Sequence, residues 1–184
     1  HKELELLYIN KGRGKRYIGS HIDYFRGGEL ILIGAYLPHY SFMEPVLKDQ
    51  KKISVQLREG FPGVSMLMFP EMQPVKQLLE RARRGISFYG DTKRKVGNKV
   101  EKLFDATPQQ RFISFLDILV DLALSEEYEV LNSGDYQLEI TPQDNERLRT
   151  IFNFVREQFT RPISLEEIAE KTSMTPQSFA RYFK

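Results

Sequence analysis

The chain has 184 residues, enough for one large domain or for one domain with part of another. An apolar fraction of 41% supports a packed core, and the absence of cysteine removes disulfides and thiolate metal ligands. A formal net charge of +2 is too small to point by itself to a nucleic acid or a membrane surface. No apolar run is long enough to cross a bilayer, and "HKELELLYINKGRGKRYIGS" is too charged for a secretory signal. A reducing cytoplasm fits the missing cysteines.

From the N-terminus, "LELLYI", "RYIGSHIDYF", "ELILIGAYLPHYSF", "KISVQL" and "GVSMLMFPEM" read as strands. "NKGRGK" and "RGG" supply Gly-bearing turns between the first of them. Short β-branched and aromatic segments at this spacing predict an all-β sandwich or barrel over residues 1–72. On the first strand Leu4, Leu6 and Tyr8 oppose Glu3 and Glu5, while Leu7 and Ile9 share the glutamates' face. Both faces are therefore partly apolar, as in a strand covered on two sides.

After Pro74 the apolar period changes from two to 3.6, and a helical segment is expected over 73–130. Val75, Leu78, Leu79 and Ala82 form one stripe, with Gly85 as its C-terminal cap. Val96, Val100, Leu103 and Phe104 form a second. Thr107-Pro108 starts a third helix, whose wide stripe is Phe112, Phe115, Leu116, Leu119, Val120 and Ala123. A stripe this wide serves packing on the β-structure, a dimer interface, or both. Cations gather between Lys76 and Lys102, and acids without cations between Asp117 and Glu146. These runs are either solvated helical faces or complementary surfaces that dock segments or subunits.

The polar stretch 131–143 reads as a linker, and residues 144–184 as a separate helical unit. Its first helix carries Leu148, Ile151, Phe152, Val155 and Phe159. Ser164 and Glu167 form a capping box ahead of Leu165, Ile168 and Ala169, where a small side chain lets a second helix cross closely. Thr175-Pro176 starts that second helix, with Phe179 and Phe183 on its inner face. Gln177, Ser178, Arg181 and Lys184 remain outside. An outer amide and guanidinium are what base edges in a major groove require, while hydroxyls suit phosphates. The same features also fit an ordinary three-helix packing unit.

"ISLEEIAEKTSMTPQSFARYFK" resembles the first helix-turn-helix of the AraC/XylS family of bacterial transcription regulators. The match covers the Ile-x-Leu-x-x-Ile-Ala start, the turn and the Phe-x-Arg-x-Phe-Lys end. "RLRTIFNFVREQF" sits where that family places the preceding helix. The stretches "HKELELLYINKGRGKRYIGS" and "FRGGELILIGAYLPHY" resemble the cupin-type sensor domain often joined to such readers. The fold class implied is α+β: a cupin-like β-barrel followed by helices, then a partial all-α helix-turn-helix domain.

The resemblance implies a sequence-specific DNA-binding regulator whose cupin-like domain senses a small-molecule effector or mediates dimerisation, with a homodimer as the expected assembly. Gln177 and Arg181 are the expected base contacts, and Thr175, Ser178 and Lys184 the expected phosphate contacts. Tyr8, Tyr17, Tyr36, His39 and Phe42 are the candidate effector residues, since aromatics with polar tips line such pockets. Family members carry two such readers, so the chain is expected to be a fragment, trimmed also before His1. Its own DNA affinity is then expected to be weak, on the order of 10⁻⁴ M.

A metal-dependent cupin enzyme is the alternative. His1, Glu3 and Glu5 share a strand face, and His39 can join them, an imidazole and carboxylate set suited to iron, manganese or zinc. The enzymatic pattern needs a further histidine before His1. No metal ligand and no cofactor is therefore assigned, and His21 is read as a turn or pocket residue. With three histidines and no cysteine, no nucleophile–base pair stands out, and the protein is expected not to be an enzyme.

Overall fold

The computed structural model describes residues 1–43, 48–58, 60–133 and 142–182. The chain is α+β and divides into two compact units, His1–Leu138 and Glu139–Lys184. No helix among the described residues is long and apolar enough to cross a membrane.

In the first unit, β1 (Leu4–Ile9), β4 (Glu29–Ile33) and β6 (Lys52–Leu57) join β7 (Ile86–Phe88) and β8 (Tyr128–Val130). They form an antiparallel sheet in the order β6-β1-β4-β7-β8. A smaller sheet runs β3-β2-β5, from β2 (Arg13–Ile18), β3 (His21–Arg26) and β5 (His39–Met43). The segment "RYIGSHIDYF" is thus not one strand but a hairpin, turning at Gly19 with φ +60. Among the described residues these sheets do not close into the expected barrel. The larger sheet also extends past residue 72, because β7 and β8 from the helical segment add its last two strands. A helix layer on one face makes it an open, covered sheet.

That layer is α1 (Gln73–Ala82), α2 (Gly90–Lys102) and α3 (Pro108–Leu124). Their buried residues meet Leu6, Tyr8, Leu30 and Leu32 in one core cluster. These strand positions are all even-numbered. The odd-numbered ones, Ile31 and Ile33, join Ile18, Leu37 and Leu131 in a second cluster on the opposite face. β1 therefore lies covered on both sides, as its apolar pattern predicts.

Arg83, not Gly85, is the C-cap of α1; Gly85, at φ +69, lies two residues further on and donates its N–H to the Ala82 carbonyl, turning the chain into β7. Thr107 and Gln110 cap α3 reciprocally. Its buried stripe is Phe115, Ile118, Leu119 and Leu122, with Phe112 and Val120 left exposed. The apolar surface of α3 admitted two overlapping stripes, and contact with α1 and α2 selects between them. Phe104, expected inside, follows α2 and is exposed. "GVSMLMFPEM" forms no strand: Met66–Met68 and Pro70–Met72 are 3-10 turns. The charge runs meet within this unit, where Lys99 Nζ reaches Asp117 Oδ2 at 2.5 Å and Asp121 Oδ2 at 2.6 Å.

The second unit contains α4 (Pro142–Gln158), α5 (Leu165–Lys171) and α6 (Pro176–Tyr182). Ile151, Ala169 and Phe179 form its core, flanked by Ile168 and Met174. Of the stripe expected on α4, Ile151 is buried and Leu148 half-buried, whereas Phe152, Val155 and Phe159 are exposed. The seven-residue helices α5 and α6 are too short to cover more of α4. Phe183, and most of the stretch expected to act as a linker, lie outside the described residues.

Candidate functional site

β1 points Glu5 into the space between the sheets, and β5 opens there with His39. Glu5 is buried, since its neighbours in the sheet are Ile33 of β4 and Gln56 of β6. His1 Nε2 lies 2.9 Å and His39 Nε2 3.1 Å from the same Glu5 oxygen, Oε2. Ser54 Oγ donates to the other oxygen at 2.7 Å. The two rings meet edge to face at 4.9 Å.

The far nitrogens decide the chemistry. His39 Nδ1 sits 2.8 Å from the Leu37 carbonyl and His1 Nδ1 3.1 Å from the Glu3 carbonyl. A carbonyl only accepts, so each Nδ1 carries a hydrogen and each Nε2 is left facing the carboxylate. Two imidazole nitrogens and a carboxylate oxygen in mutual contact need positive charge, as protons or as a cation. The ligand atoms of His1, Glu5 and His39 all lie within 4.8 Å of one another, a donor set that fits a divalent transition metal. The His39 hydrogen bond holds the Glu5 carboxyl below the ordinary carboxylate range, against the opposing effect of burial.

The structure disperses the effector candidates. Tyr8 lies on the helix side of the large sheet, its ring against Gly97 of α2. Burial, then Glu101, pushes its phenol up. Tyr36, at φ +64, donates its N–H to the His1 carbonyl at 2.9 Å, so its backbone helps place the His1 end of the cluster. Tyr17 and Phe42 stand on the outer face of the small sheet. Of Tyr8, Tyr17, His39 and Phe42, only His39 faces the space between the sheets.

Sequence reasoning missed a second polar cluster in that space. Arg16 and Glu29 are 7% and 3% exposed. Arg16 Nη1 donates to Glu29 Oε1 at 2.5 Å, and Nη2 to Asp23 Oδ2 at 3.2 Å. Burial pushes the Glu29 carboxyl up, and Arg16 opposes the shift. Arg16 Nε and Glu29 Oε2 have no hydrogen-bond partner among the described residues, and His21 Nε2 lies 3.9 Å from Asp23 Oδ2. The available signal was parity: Arg16 alternates with Gly14 and Ile18, and Glu29 leads the apolar run "ELILI". Asn132 was missed as well. Its side chain accepts from the Ser20 N–H and donates to the carbonyls of Ile18 and Arg84, clamping the β2–β3 turn.

In the second unit the capping box at Ser164 and Glu167 forms as the sequence predicts. The turn to α6 passes through Ser173 at φ +55. Thr175 Oγ1 accepts the Ser178 N–H at 3.2 Å, which starts α6. Phe179 is 6% exposed and packs on Ala169 and Ile151. Thr175, Gln177 and Arg181 are exposed and Ser178 half-buried. Lys184 lies outside the described residues. Comparison with known protein families finds no family that matches this chain, and comparison with curated proteins finds no relative.

Proposed function

We propose that the chain belongs to a cytoplasmic, sequence-specific DNA-binding regulator of the AraC type. Its first unit is a cupin-like sensing or dimerisation domain, and its second holds a helix-turn-helix reader. The observation that carries the reading is the split of α6 into two faces. Phe179 pins the helix to Ala169 and Ile151, while Gln177 and Arg181 stand exposed on it. Both outer side chains have the planar donors that pair bidentately with purine edges. Thr175 Oγ1 accepts the cap hydrogen bond and keeps its own hydrogen to offer a phosphate, and Ser178 lies one turn into the same end.

The test expresses the gene to its natural stop codon and selects bound duplexes from a random library. An enriched motif is expected, and Arg181→Ala weakens binding to it by about 1–3 kcal/mol. No enriched motif, or one bound equally by Arg181→Ala, ends this reading.

The His1–Glu5–His39 cluster favours one alternative, a metal-dependent cupin-like protein. These three residues would hold the ion, which supplies Lewis acidity when bound. Stoichiometric iron, manganese or zinc in purified protein, absent from His39→Ala, supports it.

A further inference from the structure

The outer face of the β3-β2-β5 sheet is open to solvent and built of rings and cations. Tyr24, Lys15 and Phe42 form one cross-strand row, and Ile22, Tyr17 and Tyr40 the next. Tyr24 is 70% exposed, Tyr40 60%, Phe42 59% and Ile22 56%. Alternate positions on the same strands, Phe25, Arg16 and Ile18, are buried, so these side chains are the outward half of a normal pleat. Lys15 Nζ stands 5.0 Å from the Tyr17 ring centre and 5.6 Å from that of Tyr24. The Tyr17 and Tyr40 rings are 6.4 Å apart. The row beyond Lys15 carries Arg26 on the same face. Among the described residues of this face there is no Asp or Glu; Asp23 turns inward to Arg16.

Rings this open mark a contact surface, and the charge selects among occupants. A second copy would set cations against cations across a two-fold axis. An apolar partner would strip water from Lys15 and Arg26 without replacing it. A chain of phosphates carrying flat bases satisfies rings and cations together. A duplex keeps its bases stacked, so its rings are out of reach of a flat sheet. Neighbouring strands lie about 4.8 Å apart and alternate side chains about 6.7 Å apart along a strand, which suits successive splayed bases.

We propose that this face binds single-stranded nucleic acid, with bases stacked on Tyr24, Tyr40 and Phe42 and phosphates held by Lys15 and Arg26. The test is fluorescence anisotropy of the purified chain with short labelled oligothymidylate and oligoadenylate, as DNA and as RNA. Dissociation constants of about 10⁻⁶–10⁻⁴ M at moderate salt are expected, with a log–log salt slope of about −1.4 for two phosphates. Tyr24→Ala, Tyr40→Ala and Phe42→Ala each weaken binding about tenfold. Lys15→Gln lowers the slope by about 0.7. Unchanged thermal transitions show that these surface variants remain folded.

Arg181→Ala leaves the oligonucleotide affinity unchanged, and the ring variants leave duplex selection unchanged, so failure here is distinct from failure of the helix-turn-helix reading. Comparing DNA with RNA tells which strand type is preferred. No binding in this range overturns the proposal. So does binding that is indifferent to all three ring substitutions, or binding lost with Arg181→Ala. A mass that doubles with concentration and returns to monomer in the ring variants, without oligonucleotide binding, makes the face a protein interface and also overturns it.

Discussion

Arg16 and Glu29 join the two sheets of the first unit through a 2.5 Å ion pair in a nearly dry interior. Taking both charges from water costs more than a surface pair would, so the pair must stay intact to be tolerated. Arg16→Met strands the carboxylate and is expected to cost about 3–5 kcal/mol in urea unfolding. Arg16→Met with Glu29→Leu recovers most of that loss. A double variant no better than the single one would show that the charges are not coupled.

The same pair sets a pH dependence. The Glu29 carboxyl is raised above its ordinary value of 4.5. Its contribution to stability is full below that value and is lost as pH rises through the folded value. Arg16 counters the rise, so without it the folded value climbs further. Arg16→Met is therefore expected to cost less in acid than at neutral pH, read from denaturation midpoints across that window. Equal cost at both ends would contradict the assignment.

Gly97 in α2 lies under the Tyr8 ring, and a Cβ there would overlap ring atoms. Helix propensity alone favours alanine by about 1 kcal/mol. Overlap in a packed core costs about 1–3 kcal/mol and is expected to win. Gly97→Ala should lower the thermal midpoint; a higher midpoint would mean that Tyr8 yields freely.

Phe179 and Arg181 stand close on α6, one buried and one exposed. Phe179→Ala removes the largest side chain of a small core and is expected to cost about 3–5 kcal/mol, melting the second unit. Arg181→Ala is expected to stay within about 0.5 kcal/mol. Amide exchange across α4–α6 separates the two, and comparable losses would show that Arg181 is structural.

Divalent metal provides a further measurement. A cation at His1, Glu5 and His39 raises the stability of the folded chain by about 2.7 kcal/mol at a hundredfold excess over its dissociation constant. Thermal-shift titrations with zinc or manganese should move the wild-type midpoint and leave His39→Ala unmoved. A shift retained in His39→Ala would place the ion elsewhere.

Much of the local structure was legible in the sequence. Thr107, Ser164 and Thr175 announced helix starts, because a cap bonds within its own turn. Two-sided apolarity announced that β1 is covered on both faces. The effector set was not legible in this way. Tyr8, Tyr17 and Phe42 all alternate correctly within their strands, yet which side of a strand faces the helices depends on its neighbours. The same ambiguity hid Arg16 and Glu29, whose partnership spans different sheets.

By itself the sequence determined several helix starts and the alternation of faces along a strand, since caps and side-chain period act over a few bonds. Only the tertiary structure decided that β7 and β8 extend the large sheet and that an aromatic face is left open. It also decided that His1 and His39 converge on one oxygen of Glu5. Those outcomes rest on pairings between strands and on contacts such as His39 with Glu5, whose partners are far apart in the chain and share no short window of sequence.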